Sequence, residues 1–254
     1  MSLADSVRLS VGTLTVVPVG AVGRLDRQVA RTAMVIAPLA VLPVAGAAAV
    51  VGWLGQQLGW SQPVVGLLTV AALALGTRAV HLDGLADTVD GLGSGWDADR
   101  SLAVMRRGDA GPMGVVTLVL VLGLQAAAAG ALVTDARGAV QLAVLVCCSR
   151  AALALVCRVG VPPARPDGLG AAVAGVVPRW TAAACWLVVA FVLGLLQLWR
   201  AAPWWEGPVA ALAAVAAVLV LVRRCERRFG GVTGDVMGAA VEVAFTVLVL
   251  LAAR

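Results

Sequence analysis

The densest chemistry in the chain lies in the run His81-Leu82-Asp83-Gly84-Leu85-Ala86-Asp87-Thr88-Val89-Asp90-Gly91. Its aspartates, Asp83, Asp87 and Asp90, follow an i, i+4, i+7 spacing. On a helix turning about 100° per residue, that spacing gathers them within a sector of roughly 60°. Like charges at i, i+4 repel, so three on one face point to a cation as their normal neighbour. Hard carboxylate oxygens beside a phosphate substrate select Mg2+, which takes one or two carboxylates and completes its shell with water and phosphate oxygens. Three carboxylates leave room for two ions. Gly84 and Gly91 lie on a neighbouring face, where a missing side chain lets a second helix or a phosphate approach the backbone. A solvated acidic turn at a helix end is the plainer alternative. It explains neither the shared face nor the position at the edge of an apolar block.

A second acidic pair, Asp235 and Glu242, lies in Gly230-Gly231-Val232-Thr233-Gly234-Asp235-Val236-Met237-Gly238-Ala239-Ala240-Val241-Glu242 and also falls on one helix face. Asp235 stands where a helix N-cap would. Glu242 lies about 10 Å further along the helix, deep in an apolar block, where an ionisable residue is a functional candidate by default. Arg150 lies at a similar depth in another block. It either pairs with Glu242 as a structural ion pair or reaches substrate phosphate. Arg78, nearer the aspartates, either binds phosphate or snorkels to the surface. Arg100 and Arg106 place guanidinium groups, suited to bidentate phosphate contacts, in the connection after the aspartates, where charge flanking a membrane span is the alternative reading. His81, the one histidine, points away from the aspartate face on an unbroken helix. A structural hydrogen-bonding role therefore fits it better than metal ligation, with general base the lesser reading.

The elements that must hold these residues are legible from composition. The chain has 254 residues, is 61% hydrophobic and only 13% charged, whereas soluble domains carry about 25% charged residues. The apolar residues come in long blocks, which lipid forces into helices, and the lack of strict alternation disfavours a β-barrel. Seven spans are expected, over 34–54, 64–82, 113–133, 139–158, 180–199, 207–222 and 236–253, with an interfacial or re-entrant segment from Leu9 to Val22. All nineteen basic residues are Arg, and fourteen of them fall in the amino-terminal arm and three connections that alternate with charge-poor ones. The positive-inside rule puts those segments, the aspartates and the N-terminus in the cytoplasm. The expected fold is thus an all-α polytopic membrane bundle, a single domain over 1–254. The basic balance is the charge bias of a membrane protein, with no basic aromatic surface to suggest nucleic acid. The five cysteines form no CxxC pair and read as small buried apolar residues, Cys225 in a basic loop.

These residues resemble the cobalamin synthase family (adenosylcobinamide-GDP ribazoletransferase). HLDGLADTVDG is similar to the family signature and GGVTGDVMGAAVE to its carboxy-terminal block. Val17-Pro18-Val19, the stretch Arg100 to Gly114 and Ser149-Arg150 agree in order. One segment departs: many members read Asp-Ser-Arg where this chain has Arg107-Gly108-Asp109, so no role is carried over to those positions. The resemblance implies a Mg2+-dependent transferase that joins adenosylcobinamide-GDP to α-ribazole or its 5′-phosphate and releases GMP, a late step of vitamin B12 assembly. It implies a multi-pass protein of the bacterial cytoplasmic (inner) membrane with its site facing the cytoplasm. Asp83, Asp87 and Asp90 would hold the metal, with Asp90 favoured as base, and Asp235 and Glu242 would complete the site. It leaves room for a homo-oligomer or association with other corrinoid-assembly enzymes.

Two rivals fit less well. A phosphotransferase acting on CDP-linked lipids uses a DG…AR…G…D…D pattern that the Asp87–Asp90 spacing breaks. A cation transporter would place its carboxylates near the midplane on broken helices, whereas here only Glu242 is deep.

Overall fold

Apolar segments in lipid close their backbone hydrogen bonds within themselves, and the computed structural model, which describes residues 3–95 and 97–254, is helical throughout its apolar blocks. Its helices are α1 (Leu3–Leu14), α2 (Arg27–Val35), α3 (Ala37–Ala40), α4 (Leu42–Gln57), α5 (Gln62–Gly76), α6 (Val80–Gly93), α7 (Ala98–Val104), α8 (Pro112–Leu132), α9 (Ala136–Ser149), α10 (Ala152–Val156), α11 (Gly168–Val173), α12 (Arg179–Trp199), α13 (Glu206–Phe229) and α14 (Gly234–Ala252). Among the described residues, extended pairing is limited to two isolated bridges, Arg158 with Val177 and Pro163 with Val232. The chain is an all-α polytopic membrane bundle.

Among the described residues, five units are long and apolar enough to cross a membrane: α8, α9 with α10, α12, α13 and α14. The bent pair α5–α6 makes a sixth if counted as one. That is fewer than the seven expected from hydropathy. The difference lies at the amino-terminal end, where the block over 34–54 is divided. Pro38 and Pro43 stand in the first turns of α3 and α4; proline lacks the N–H that would continue the preceding helix, and α4 is left with 16 residues. The segment expected to be interfacial or re-entrant begins as α1, packed on α2 and α3, and continues as irregular chain. At the other end α13 runs to Phe229, so Cys225 lies buried in a helix rather than in a loop.

The bend after α5 sets the position of the acidic motif. Arg78 and Ala79 both adopt left-handed backbone, at φ 56° and 54°, a conformation unfavourable for residues with a Cβ. Ala79 N–H bonds Ala74 O at 2.7 Å and Arg78 N–H bonds Leu75 O at 3.1 Å, closing α5 with a Schellman turn. The amino-terminal arm holds this turn from outside. Val16 N–H donates to Gly76 O at 2.7 Å, and the Arg78 guanidinium donates to Gly12 O at 2.7 Å. Consequently α6 leaves α5 at 91°.

The centre of the bundle is α9–α10, with 83% of its apolar window buried, against 33% for α8. Small residues let helices meet closely, as is usual in membranes. Gly66 on α5 and Gly130 on α8 each leave no room for a Cβ against the other helix's backbone.

Candidate functional site

Glycine brings α6 onto the start of α14. A Cβ at Gly84 would stand 2.7 Å from the carbonyl oxygen of Asp235, and one at Gly238 would stand 3.0 Å from the Cα of His81. The sequence left a second helix or a phosphate as the neighbour of Gly84; the backbone that lies against it is that of α14. Gly91 serves packing too, since a Cβ there would press on Met105 and Phe229. The Arg228 guanidinium, donating to Leu92 O at 3.2 Å, ties the far end of α6 to α13.

This crossing brings Asp83, Asp87 and Asp235 within electrostatic reach of one another. Asp83 is exposed and Asp87 half-buried. On α6, which the 91° bend turns out of the spanning direction, partial burial, then the charges of Asp83, Asp235 and Asp90, push the Asp87 carboxyl up to about 6, with Arg165 opposing. Burial is the leading cause, and the neighbouring carboxylates add to it. Asp235 is not the N-cap: Thr233 fills that position, its hydroxyl accepting from Val236 N–H and donating to the Asp235 carboxylate at 3.1 Å.

Asp90, on the same helix as Asp83 and Asp87, is engaged with backbone amides. Both its oxygens are engaged, accepting from Gly111 N–H at 2.7 Å and Gly114 N–H at 2.9 Å. It is buried and caps the start of α8 from a different helix. Among the described residues no three His, Cys, Asp or Glu side chains converge as a metal cage; of the three aspartates expected to bind metal, Asp90 is the one with both oxygens on backbone amides. The physical reason is tertiary: orphan amides at a helix start need an acceptor, and Asp90 is the carboxylate within reach.

The deep polar residues form a separate cluster. Arg150, at a break between α9 and α10, donates to Val146 O at 2.9 Å and to Ser149 Oγ at 2.8 Å. Glu242 accepts from Gln125 Nε2 at 2.8 Å. Arg150, Glu242 and Gln125 line one small cavity, yet no nitrogen–oxygen contact of 4.0 Å or less joins Arg150 to Glu242 among the described residues. Their attraction acts across that cavity. His81 is buried at the foot of α6, and its Nδ1 makes no hydrogen bond among the described residues.

The remaining arginines spread out. Arg78 serves the bend, Arg100 is exposed on α7, and Arg106 pairs with Asp167 at 3.3 Å. The sequence reading passed over Arg165, which reaches the aspartates from the loop before α11. Its guanidinium donates to Leu102 O at 2.7 Å. Its loop is stitched to the start of α14 by Ala164 N–H to Val232 O at 2.9 Å and Val232 N–H to Pro162 O at 3.0 Å. The local signal was the rigid run Pro162-Pro163-Ala164-Arg165-Pro166, whose prolines fix where one Arg points. Gln125 was also missed, for a lone Gln in an apolar block has no pattern to announce it.

Comparison with known proteins agrees with this architecture. The cobalamin-5-phosphate synthase family matches residues 6–253. A protein of Nocardioides sp. named adenosylcobinamide-GDP ribazoletransferase is 48% identical over 98% of both chains. Proteins of the same name from Frankia casuarinae and Bradyrhizobium diazoefficiens are 41% and 36% identical, over 96% and 99% of this chain and 93% and 94% of their own lengths. No solved structure matches this chain. With near full-length agreement spanning both acidic blocks, the chain belongs to the cobalamin-5-phosphate synthase family.

Proposed function

We propose that this chain is an adenosylcobinamide-GDP ribazoletransferase, joining adenosylcobinamide-GDP to α-ribazole or its 5′-phosphate with release of GMP, at the cytoplasmic face of a bacterial inner membrane. The observation that carries the mechanism is the meeting of Asp83 and Asp87 on α6 with Asp235 on α14, beside Arg165, at the arginine-rich end of an apolar bundle. The relatives' names supply the substrates, and the one-sided arginine distribution supports the cytoplasmic orientation.

The carboxylates fit Mg2+. An all-protein cage is absent among the described residues, but this ion is normally held by one or two carboxylates, with waters and substrate phosphates filling the rest. Asp83 and Asp87 would hold it, with Asp235 nearby. When bound, the ion neutralises charge developing on a diphosphate. A ribose hydroxyl oxygen forms a bond to the phosphorus on the corrinoid arm while the bond from that phosphorus to the bridging oxygen breaks, and the oxygen departs with GMP. The hydroxyl proton passes to a carboxylate of the Asp83–Asp87 pair. Asp90, with both oxygens on backbone amides, is assigned to holding α8 rather than to acting as the base. Positioning and electrostatics are the main work in such transfers, and the close α6–α14 crossing does the positioning.

The test is GMP release by purified protein given adenosylcobinamide-GDP and α-ribazole 5′-phosphate, with and without Mg2+, alongside a CDP-linked lipid donor. Asp87→Asn should lower turnover by at least about 100-fold, the scale of removing a principal transition-state contact, while the chain still inserts in membranes. Near-normal turnover would refute the metal-binding role.

A further inference from the structure

The start of α14 and the loop before α11 enclose a cavity of about 290 Å³, lined by Arg106, Arg165, Asp167, the backbone of Gly168–Gly170, Thr233 and Asp235 among others. Its size is at the low end for small-molecule sites, roughly 300–1,000 Å³. From this cavity we infer a phosphate subsite in which Arg165, assisted by Arg106, grips a phosphate group next to the carboxylates. The inference rests on the transferase reading and deepens it by naming which residues recognise the phosphate that does not carry the reacting corrinoid arm.

Three observations support it. First, the guanidinium of Arg165 is only partly used: one terminal nitrogen bonds Leu102 O at 2.7 Å, while its buried Nε has no hydrogen-bond partner among the described residues. A buried donor without an acceptor is costly, and a bound phosphate would supply one. Second, the cavity holds two arginines in mutual repulsion. Burial first, and then the charge of Arg106, disfavour the charged form of Arg165. Asp235, Asp167 and Asp87 offset part of this, and the exposed Asp167 carboxylate is paired with Arg106 at 3.3 Å; an anion between the two arginines would relieve their repulsion directly. Third, the walls leave no room for side chains where the backbone comes close. A Cβ at Gly170 would stand 2.9 Å from Val232 O and 3.0 Å from Thr233 Cα. The cavity's shape is thereby set by two loops locked to each other through Ala164, Val232 and Pro162. Asp235 on its inner wall is the same residue that faces Asp83 and Asp87, so a phosphate here lies one side chain from the proposed metal position.

The phosphate has two sources with the same chemistry: the guanosine nucleotide, or the 5′-phosphate of the acceptor. The direct test measures binding of inorganic phosphate and of GMP to detergent-solubilised, full-length protein. Arg165→Ala should weaken binding by about 10- to 100-fold, the weight of a charge-assisted hydrogen bond, and Arg165→Lys should fall between, keeping charge but losing the fork. Asp167→Asn should tighten binding severalfold by releasing Arg106, and it disturbs no buried group if Arg165→Ala fails to fold. A raised KM confined to α-ribazole 5′-phosphate, with α-ribazole unaffected, assigns the site to the acceptor. A GMP dissociation constant and donor KM that rise together assign it to the nucleotide. Unchanged phosphate and GMP affinity in folded Arg165→Lys and Asp167→Asn proteins would overturn the subsite, whatever the turnover. Failure of the transferase reading would appear separately, as no GMP release by the unsubstituted chain.

Discussion

Gly84 on α6 lies so close to Asp235 on α14 that a Cβ on the glycine would stand 2.7 Å from the aspartate's carbonyl oxygen and 3.0 Å from its Cα. The contact is backbone to backbone, so no rotamer change relieves an added methyl. Gly84→Ala should push α6 away from α14 and separate Asp87 from Asp235. Overpacking of this kind costs about 1–3 kcal/mol. The expected outcome is a lower thermal midpoint with turnover reduced well beyond what the loss of folded protein explains. Normal turnover in the folded fraction would show that the crossing does not position the site.

Asp87 gives the site a pH dependence of definite sign. Its carboxyl is raised from 3.8 to about 6 by partial burial and by Asp83, Asp235 and Asp90. The folded protein therefore holds this proton more tightly than the unfolded chain does. The resulting stabilisation is complete below 3.8 and is lost as pH rises through about 6. Mg2+ needs the carboxylate, so its affinity should fall as pH drops below about 6. Measuring the Mg2+-induced shift of the thermal midpoint between about pH 5 and about pH 8 checks this. The shift should grow with pH in the unsubstituted protein and stay small and flat in Asp87→Asn.

Asp90 should behave as a structural residue. Asp90→Ala leaves the amides of Gly111 and Gly114 without their acceptor, at about 1–3 kcal/mol for each buried unsatisfied group. Asp90→Asn keeps one oxygen and should recover a large part of both stability and turnover. A fully stable Asp90→Asn enzyme without turnover would instead return Asp90 to the chemistry.

The Arg150–Glu242 cluster should show coupling. Removing Arg150 takes away the cation that faces Glu242 across their shared cavity and leaves Glu242 its Gln125 contact. Removing one of two buried charges that attract each other destabilises through the charge left behind. Arg150→Met alone should therefore destabilise strongly, and Arg150→Met combined with Glu242→Gln should destabilise less than the two single changes summed. Thermal unfolding in detergent across the double-mutant cycle measures the difference. Strict additivity would show that the two charges do not sense each other across their shared cavity.

Much of this was readable before any coordinates. Long Ala, Val and Leu blocks determine helices, because lipid offers the backbone no other partner. The arginines mark one end of the bundle because they resist crossing the membrane. The spacing of Asp83 and Asp87, one turn apart, already carries their shared face. Other features depend on contacts between segments far apart in sequence. The helix break at Arg78 and Ala79 is stabilised by Gly12 and Val16, more than sixty residues away. Asp90 is bound by the amides of Gly111 and Gly114, which lie more than twenty residues further on. Arg165 joined the site because its loop is stitched to the start of α14. Local periodicity specifies which way a side chain leaves its own helix. Whether it then meets a metal, an amide or another charge is decided by packing, which no single segment encodes.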